Sequence, residues 1–105
     1  MEINTEQHIM SIILHSGEAN KKAFAALAEV RKRDFEQART LIKEASVESV
    51  KAHKIQTKLI QQDAASEEKL EMSLLVVHAQ DHLMKSLLTI DLIEELIEVF
   101  SDLHT

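Results

Sequence analysis

LEMSLLVVHAQDHLMKSLLTIDLIEELIEVF, residues 70–100, decides the fold. Leu70, Leu74, Val77, Met84, Leu88, Leu92, Leu96 and Val99 recur at multiples of three and four residues and form one apolar stripe of a helix. Met72, Val76, Ala79, Leu83, Leu87, Ile90, Ile93, Ile97 and Phe100 form a second. Together they cover well over half of the circumference. A surface helix of a small monomer needs one apolar face, and a helix with two needs two burial partners. Two sibling helices supply one partner. The other face points to a further copy of the chain, so a homo-oligomer built around this helix is expected. The alternative is that the two siblings wrap it completely. The pattern places the helix from about Glu67 to Leu103, capped by Ser66.

Two helical blocks precede it. The first runs from about Thr5 to Lys32, with Ile9, Ile12, Ile13, Ala19, Ala23, Phe24, Leu27 and Val30 in register and Asn4 or Thr5 as cap. Gly17 lies inside it and is read as a point of close helix packing. The second starts at Asp34, the expected cap, with Gln37 three residues on in capping-box position, and ends near Ala65. Ala45, Ser46, Ser49 and Ala52 make its middle small enough for another helix to approach closely.

Composition agrees with an all-α chain. One glycine and no proline in 105 residues leave few turns for a sandwich, a barrel or a doubly wound sheet. The length makes residues 1–105 one domain. With no cysteine there is no disulfide framework, thiolate metal site or thiol nucleophile, which fits a cytoplasmic protein. No signal peptide and no transmembrane run of 18 apolar residues is visible. A formal charge of −6 weighs against nucleic acid and anionic membrane surfaces as partners.

Polar residues interrupt the third helix at His78, Gln80, Asp81 and His82. Burying such groups unpaired costs a few kcal/mol each, on the order of 2–7. His78 and His82 are four apart and share a face. Asp81 lies in the row of Leu74, Val77, Met84 and Leu88. The histidine pair fits a zinc site, two idle surface residues, or a nucleophilic imidazole steadied by its neighbour. Ala79 stands where a zincin needs glutamate. Spacing alone does not choose among the three.

The string Ser73-Leu74-Leu75-Val76-Val77-His78-Ala79-Gln80-Asp81-His82-Leu83-Met84 resembles the signature of the enzyme IIA component of the lactose/cellobiose family, from the bacterial phosphoenolpyruvate-dependent sugar phosphotransferase system. Ala52-His53-Lys54-Ile55-Gln56-Thr57 followed by Leu59-Ile60-Gln61, and His15-Ser16-Gly17 followed by Ala19, resemble the same family's second- and first-helix segments. The matches stand in order and span essentially the whole chain.

The resemblance implies an antiparallel three-helix bundle that associates as a homotrimer. It implies that His78 accepts a phosphoryl group from the histidine-containing phosphocarrier protein and passes it to a cysteine of the cognate enzyme IIB, during uptake of a β-linked disaccharide of lactose, cellobiose or chitobiose type. It gives His82 the role of stabilising the phosphorylated state. It puts Asp81 at the trimer axis, where three copies hold a divalent cation, Mg by preference. Gln80 is a candidate contact to Asp81 or to the phosphoryl group. The chain would be a phosphotransferase component rather than a hydrolase, with no nucleic acid partner and no direct membrane insertion.

Three positions depart from the family's pattern. Arg33 stands in the first turn and Ser66-Glu67-Glu68 in the second, where glycine is common in each. Lys85 stands where a small hydroxyl residue is frequent; it is seven after His78 and is read as solvated in preference to phosphoryl-binding. His15 and His53 are read as packing or partner-facing residues, His8 and His104 as surface. Two other functions compete. A non-catalytic helical homo-oligomeric adaptor explains the apolar blocks but not His78, Asp81 and His82 together. A metal-dependent hydrolase lacks its general base.

Overall fold

The computed structural model describes residues 2–67 and 70–104, and for residues 2–4 the course of the backbone alone. Three helices follow in order: α1 (Glu2–Arg31), α2 (Phe35–Ala65) and α3 (Leu74–Leu103). Among the described residues there is no strand. The helices run up, down and up in a rod of 57 × 19 × 18 Å.

The turn from α1 to α2 is tight because it satisfies its own backbone. Arg33 N–H donates to Val30 O at 2.9 Å and Asp34 N–H to Glu29 O at 2.9 Å, the two bonds of a Schellman stop. That stop needs a left-handed residue, and Arg33 supplies it at φ 63° where glycine is usual. Asp34 Oδ1 then accepts from Gln37 N–H at 3.0 Å and caps α2. The capping box is half formed, because the Asp34 N–H is already given to Glu29.

Two apolar clusters fill the rod. One joins Ala19, Ala23, Ala26 and Val30 to Ala38, Ile42, Ala45 and to Ile90, Ile93, Ile97. The other joins Ile9 and Ile12 to Ala52, Leu59 and to Val76, Ala79, Leu83. Alanines line the contact of α1 with α2, so the two backbones approach closely. Ile12, Leu83 and Ile97 are fully enclosed, each worth about 1.5–3 kcal/mol in apolar burial. Buried Ser16, Ser49 and Ser86 sit among them. Ser49 Oγ donates to Ser46 O at 3.0 Å and Ser86 Oγ to Leu83 O at 2.8 Å. The α1–α2 seam is also tied by His15 Nδ1 against Glu48 Oε1 at 2.8 Å, which holds the Glu48 carboxyl below its ordinary range with help from Lys51.

Three expectations are corrected. The first helix begins at Glu2, so Thr5 lies within it and is not its cap. Once Ile9 and Ile12 anchor the helix, each preceding residue extends it with little further cost. Glu68 and Lys69, and the side chain of Asn4, lie outside the described residues.

The third helix begins at Leu74, not near Glu67. Ser66 ends α2, its N–H donating to Gln62 O at 3.0 Å, and Ser73 caps α3, its Oγ accepting from Val76 N–H at 3.2 Å. Asp63 Oδ1 takes the Leu70 N–H, which holds the connection out of helix. Leu70 still packs on the core from this non-helical segment, and Met72 is exposed.

Gly17 is not a point of close packing. It is exposed, and an added Cβ would meet no atom within 4 Å.

Candidate functional site

The two apolar stripes of α3 part company in the bundle. Val76, Ala79, Leu83, Ile90, Ile93 and Ile97 are buried against α1 and α2. Leu74, Val77, Met84, Leu88, Leu92 and Val99 lie on the other side and are exposed, Leu74 at 85% and Leu88 at 69%. The two sibling helices therefore do not wrap α3. Uncovered apolar residues in a continuous row mark a surface that meets something.

Asp81 is exposed in the middle of that row, between Val77 and Met84. At about 100° per residue, His78 and His82 lie about 60° and 100° round the helix from Asp81 on one flank, and Gln80 lies about 100° round on the other. The site thus has a bare front bearing Asp81, a histidine flank and a glutamine flank.

On the histidine flank, His78 is exposed and His82 half-buried. Their rings meet edge to face, centroids 4.3 Å apart and planes at 78°. Removal from solvent lowers the proton affinity of His82 below the ordinary imidazole value. The neighbouring His78 and Lys85 lower it further, while Asp81 opposes them. Near neutral pH, His82 is thereby held as a neutral ring with one donor and one acceptor nitrogen beside His78. An accessible imidazole next to a neutral one suits nucleophilic attack on phosphorus, with the second ring free to donate to a phosphoryl oxygen.

On the other flank, Gln80 is half-buried and turned to α2. Its Oε1 accepts from Gln56 Nε2 at 2.8 Å. Gln56 is itself 7% exposed. The side chain named beforehand as a contact to Asp81 or to a phosphoryl group is therefore held by α2. The sequence places Gln56 only within a segment that resembles the family's second helix. Its signal was legible: it falls seven after Ser49 and three before Leu59, in the buried row of α2, where an amide needs a partner.

The remaining histidines lie apart. His15 is bound to Glu48 on the α1–α2 seam. His53 is exposed on α2. His104 ends α3, its Nδ1–H donating to Phe100 O at 2.7 Å and its ring against Phe35 at 5.7 Å. His8 is half-buried on α1 rather than fully at the surface. Lys85 is exposed.

Among the described residues of one chain, no three His, Cys, Asp or Glu side chains are grouped to hold a metal ion. Asp81 offers one carboxylate per chain, so a cation there requires further copies. Three such carboxylates would form an all-oxygen donor set, which suits Mg or Ca. No helix among the described residues is long and apolar enough to cross a membrane.

Comparison with known proteins shows which family the chain resembles. The family described as "PTS system, Lactose/Cellobiose specific IIA subunit" matches residues 7–101. The lichenan-specific phosphotransferase enzyme IIA component of Bacillus subtilis is 45% identical over 100 residues, covering 95% of this chain and 90% of that one. The N,N'-diacetylchitobiose-specific EIIA component of Escherichia coli is 44% identical over 98 residues, 93% of this chain and 84% of that one. The crystal structure of PtcA from S. mutans superposes with a TM-score of 0.89 at 31% identity, over 95% of this chain and 97% of that one. IIA(Chitobiose) in the solution structures of the Escherichia coli IIA(Chitobiose)–HPr complex superposes with a TM-score of 0.82 at 42% identity, over 95% and 96%.

Proposed function

The chain belongs to the lactose/cellobiose-specific IIA family of the sugar phosphotransferase system, and from that premise we propose that His78 is its phosphoryl-carrying residue. The observation that carries the proposal is the exposed His78 ring with the half-buried His82 edge-on at 4.3 Å. The lone pair of a His78 ring nitrogen attacks phosphorus on a phosphorylated histidine-containing phosphocarrier protein. The new N–P bond forms as the donor's N–P bond breaks, and the donor imidazole leaves. In the second transfer a thiolate of the cognate enzyme IIB attacks, forming S–P as N–P on His78 breaks. Both steps are in-line displacements that need positioning and charge stabilisation rather than an acid or base. His82 donates a ring N–H to the phosphoryl oxygens and so favours the loaded state. HPr stands in complex with the Escherichia coli chitobiose relative, which supports the first partner. Named relatives serve lichenan, chitobiose and lactose, so the cargo of this branch is a β-linked saccharide.

The bare row Leu74–Val77–Met84–Leu88–Leu92 is the oligomer surface. Three copies packed on it form a trimer with Asp81 facing the axis. Three carboxylates there repel unless a cation or protons intervene. Asp81 from each copy would hold a divalent cation, Mg by preference, and the cation when bound supplies charge neutralisation. The chain works in the cytoplasm, where its phosphoryl donor and acceptor are found.

The test is to load the protein from the phosphorylated phosphocarrier and locate the group by ¹H–¹⁵N imidazole NMR. The shift change is expected on His78. Phosphoryl on any of the other histidines, or uptake by His78→Gln, would refute the assignment.

A further inference from the structure

In a threefold assembly with Asp81 at the axis, the two flanks of α3 face different neighbours. The histidine flank of one subunit meets the glutamine flank of the next, since His78 and Gln80 leave Asp81 in opposite directions, by about 60° and 100°. The surface holding His78 is then bordered by Gln80 of the partner subunit and by the α2 that carries its Gln56.

The Gln56–Gln80 bond fixes what that wall presents. Gln56 Nε2 donates to Gln80 Oε1 at 2.8 Å, and Gln56 is more than nine-tenths buried. A primary amide has one acceptor end and one donor end. With Oε1 turned inward to Gln56, the Gln80 Nε2–H groups are the end left to face outward. A donor there suits a phosphoryl dianion, and an exposed carbonyl would repel it.

We infer that Gln56 is a positioning residue acting in trans: it locks the amide of Gln80 so that its donor end faces the phosphoryl group on His78 of the partner subunit. The inference rests on the His78 and trimer assignments above. It adds that a buried α2 residue of the neighbour controls which end of the Gln80 amide that site meets.

The consequence is specific. Gln56→Glu replaces the donor with an ionised acceptor, so Gln80 turns its Nε2–H inward and its carbonyl out. Gln56→Met removes the donor without adding charge and leaves the Gln80 amide free to turn. Gln56→Glu in a homotrimer slows loading of His78 at least about tenfold, the scale of one charge-assisted hydrogen bond. Gln56→Met slows it less.

Mixed trimers separate this from a merely structural role. Gln56→Glu chains are assembled with a large excess of His78→Ala chains, which keep Gln56 and Gln80 but carry no phosphoryl acceptor. Each reactive His78 then sits beside an intact glutamine pair from its neighbour. Loading from the phosphorylated phosphocarrier at the wild-type rate is the expected result. A defect that stays with the Gln56→Glu chain in the mixed trimer would overturn the inference, as would wild-type rates in the homotrimer. Where the buried charge prevents folding, Gln56→Met goes through the same mixing with the same two outcomes. Wild-type protein run beside them reports on the underlying assignments separately: monomeric wild type, or wild type loaded elsewhere than His78, defeats those assignments and the inference with them.

Discussion

His78 and His82 stand edge to face with ring centroids 4.3 Å apart, one ring in solvent and the other half-buried. That asymmetry suits them to different tasks. The exposed ring can be reached by two partners in turn, while the half-buried one stands beside it with its proton affinity lowered by removal from solvent.

His82→Ala is expected to accept phosphoryl at His78 yet hold and pass it poorly. Loading kinetics and the lifetime of the loaded form measure this. Wild-type kinetics in both would remove His82 from the mechanism.

The lowered proton affinity of His82 makes stability depend on pH in one direction. The unfolded chain protonates this residue near the ordinary imidazole value of 6.5, and the folded chain only at lower pH. Below 6.5 the unfolded state therefore binds more protons, and stability falls as the pH drops towards and through the folded value. Well above 6.5 this residue contributes no slope. Denaturant midpoints across this range should fall less steeply in His82→Gln than in wild type. Equal slopes would show that His82 titrates alike in both states.

Asp81→Leu is expected to give a trimer at least as stable as wild type, because it exchanges a carboxylate cluster for apolar packing. Sedimentation velocity decides it. Monomers in that variant would contradict an axial Asp81.

Two backbone positions offer stabilisation. Gly17 is an exposed helix residue with room for a Cβ, so Gly17→Ala should add about 0.5–1 kcal/mol. Arg33 holds φ 63° in the Schellman stop, so Arg33→Gly should relieve about 1 kcal/mol of left-handed strain. Thermal or denaturant midpoints that drop in either variant would mean that the residue makes a contact beyond its own chain.

Much of this was legible in the sequence, and the exceptions share a cause. The two stripes of α3 and the place of Asp81 in the row of Leu74, Val77, Met84 and Leu88 follow from a 3.6-residue period that tertiary structure respects, and the Asp34 cap follows from its residue type three before Gln37. The start of α3 did not, because Leu70 and Met72 continue the apolar register although Asp63 and Ser73 pull the backbone into a connection. Gly17 was misread because a helical glycine signals either close approach or open space, and sequence carries no neighbours. The histidine flank was legible as spacing but ambiguous as chemistry. Gln80 was recognised as unusual, but its partner Gln56 is 24 residues away on another helix, and pairing across helices has no local signal.

A relay through this chain requires one phosphoryl group on His78. Intact-mass spectrometry after incubation with phosphoenolpyruvate, enzyme I and the histidine phosphocarrier reads that group. Wild type should gain one acid-labile phosphoryl group per chain, and His78→Ala should gain none. An unchanged wild-type mass with both upstream proteins active, or a full gain in His78→Ala, would contradict it.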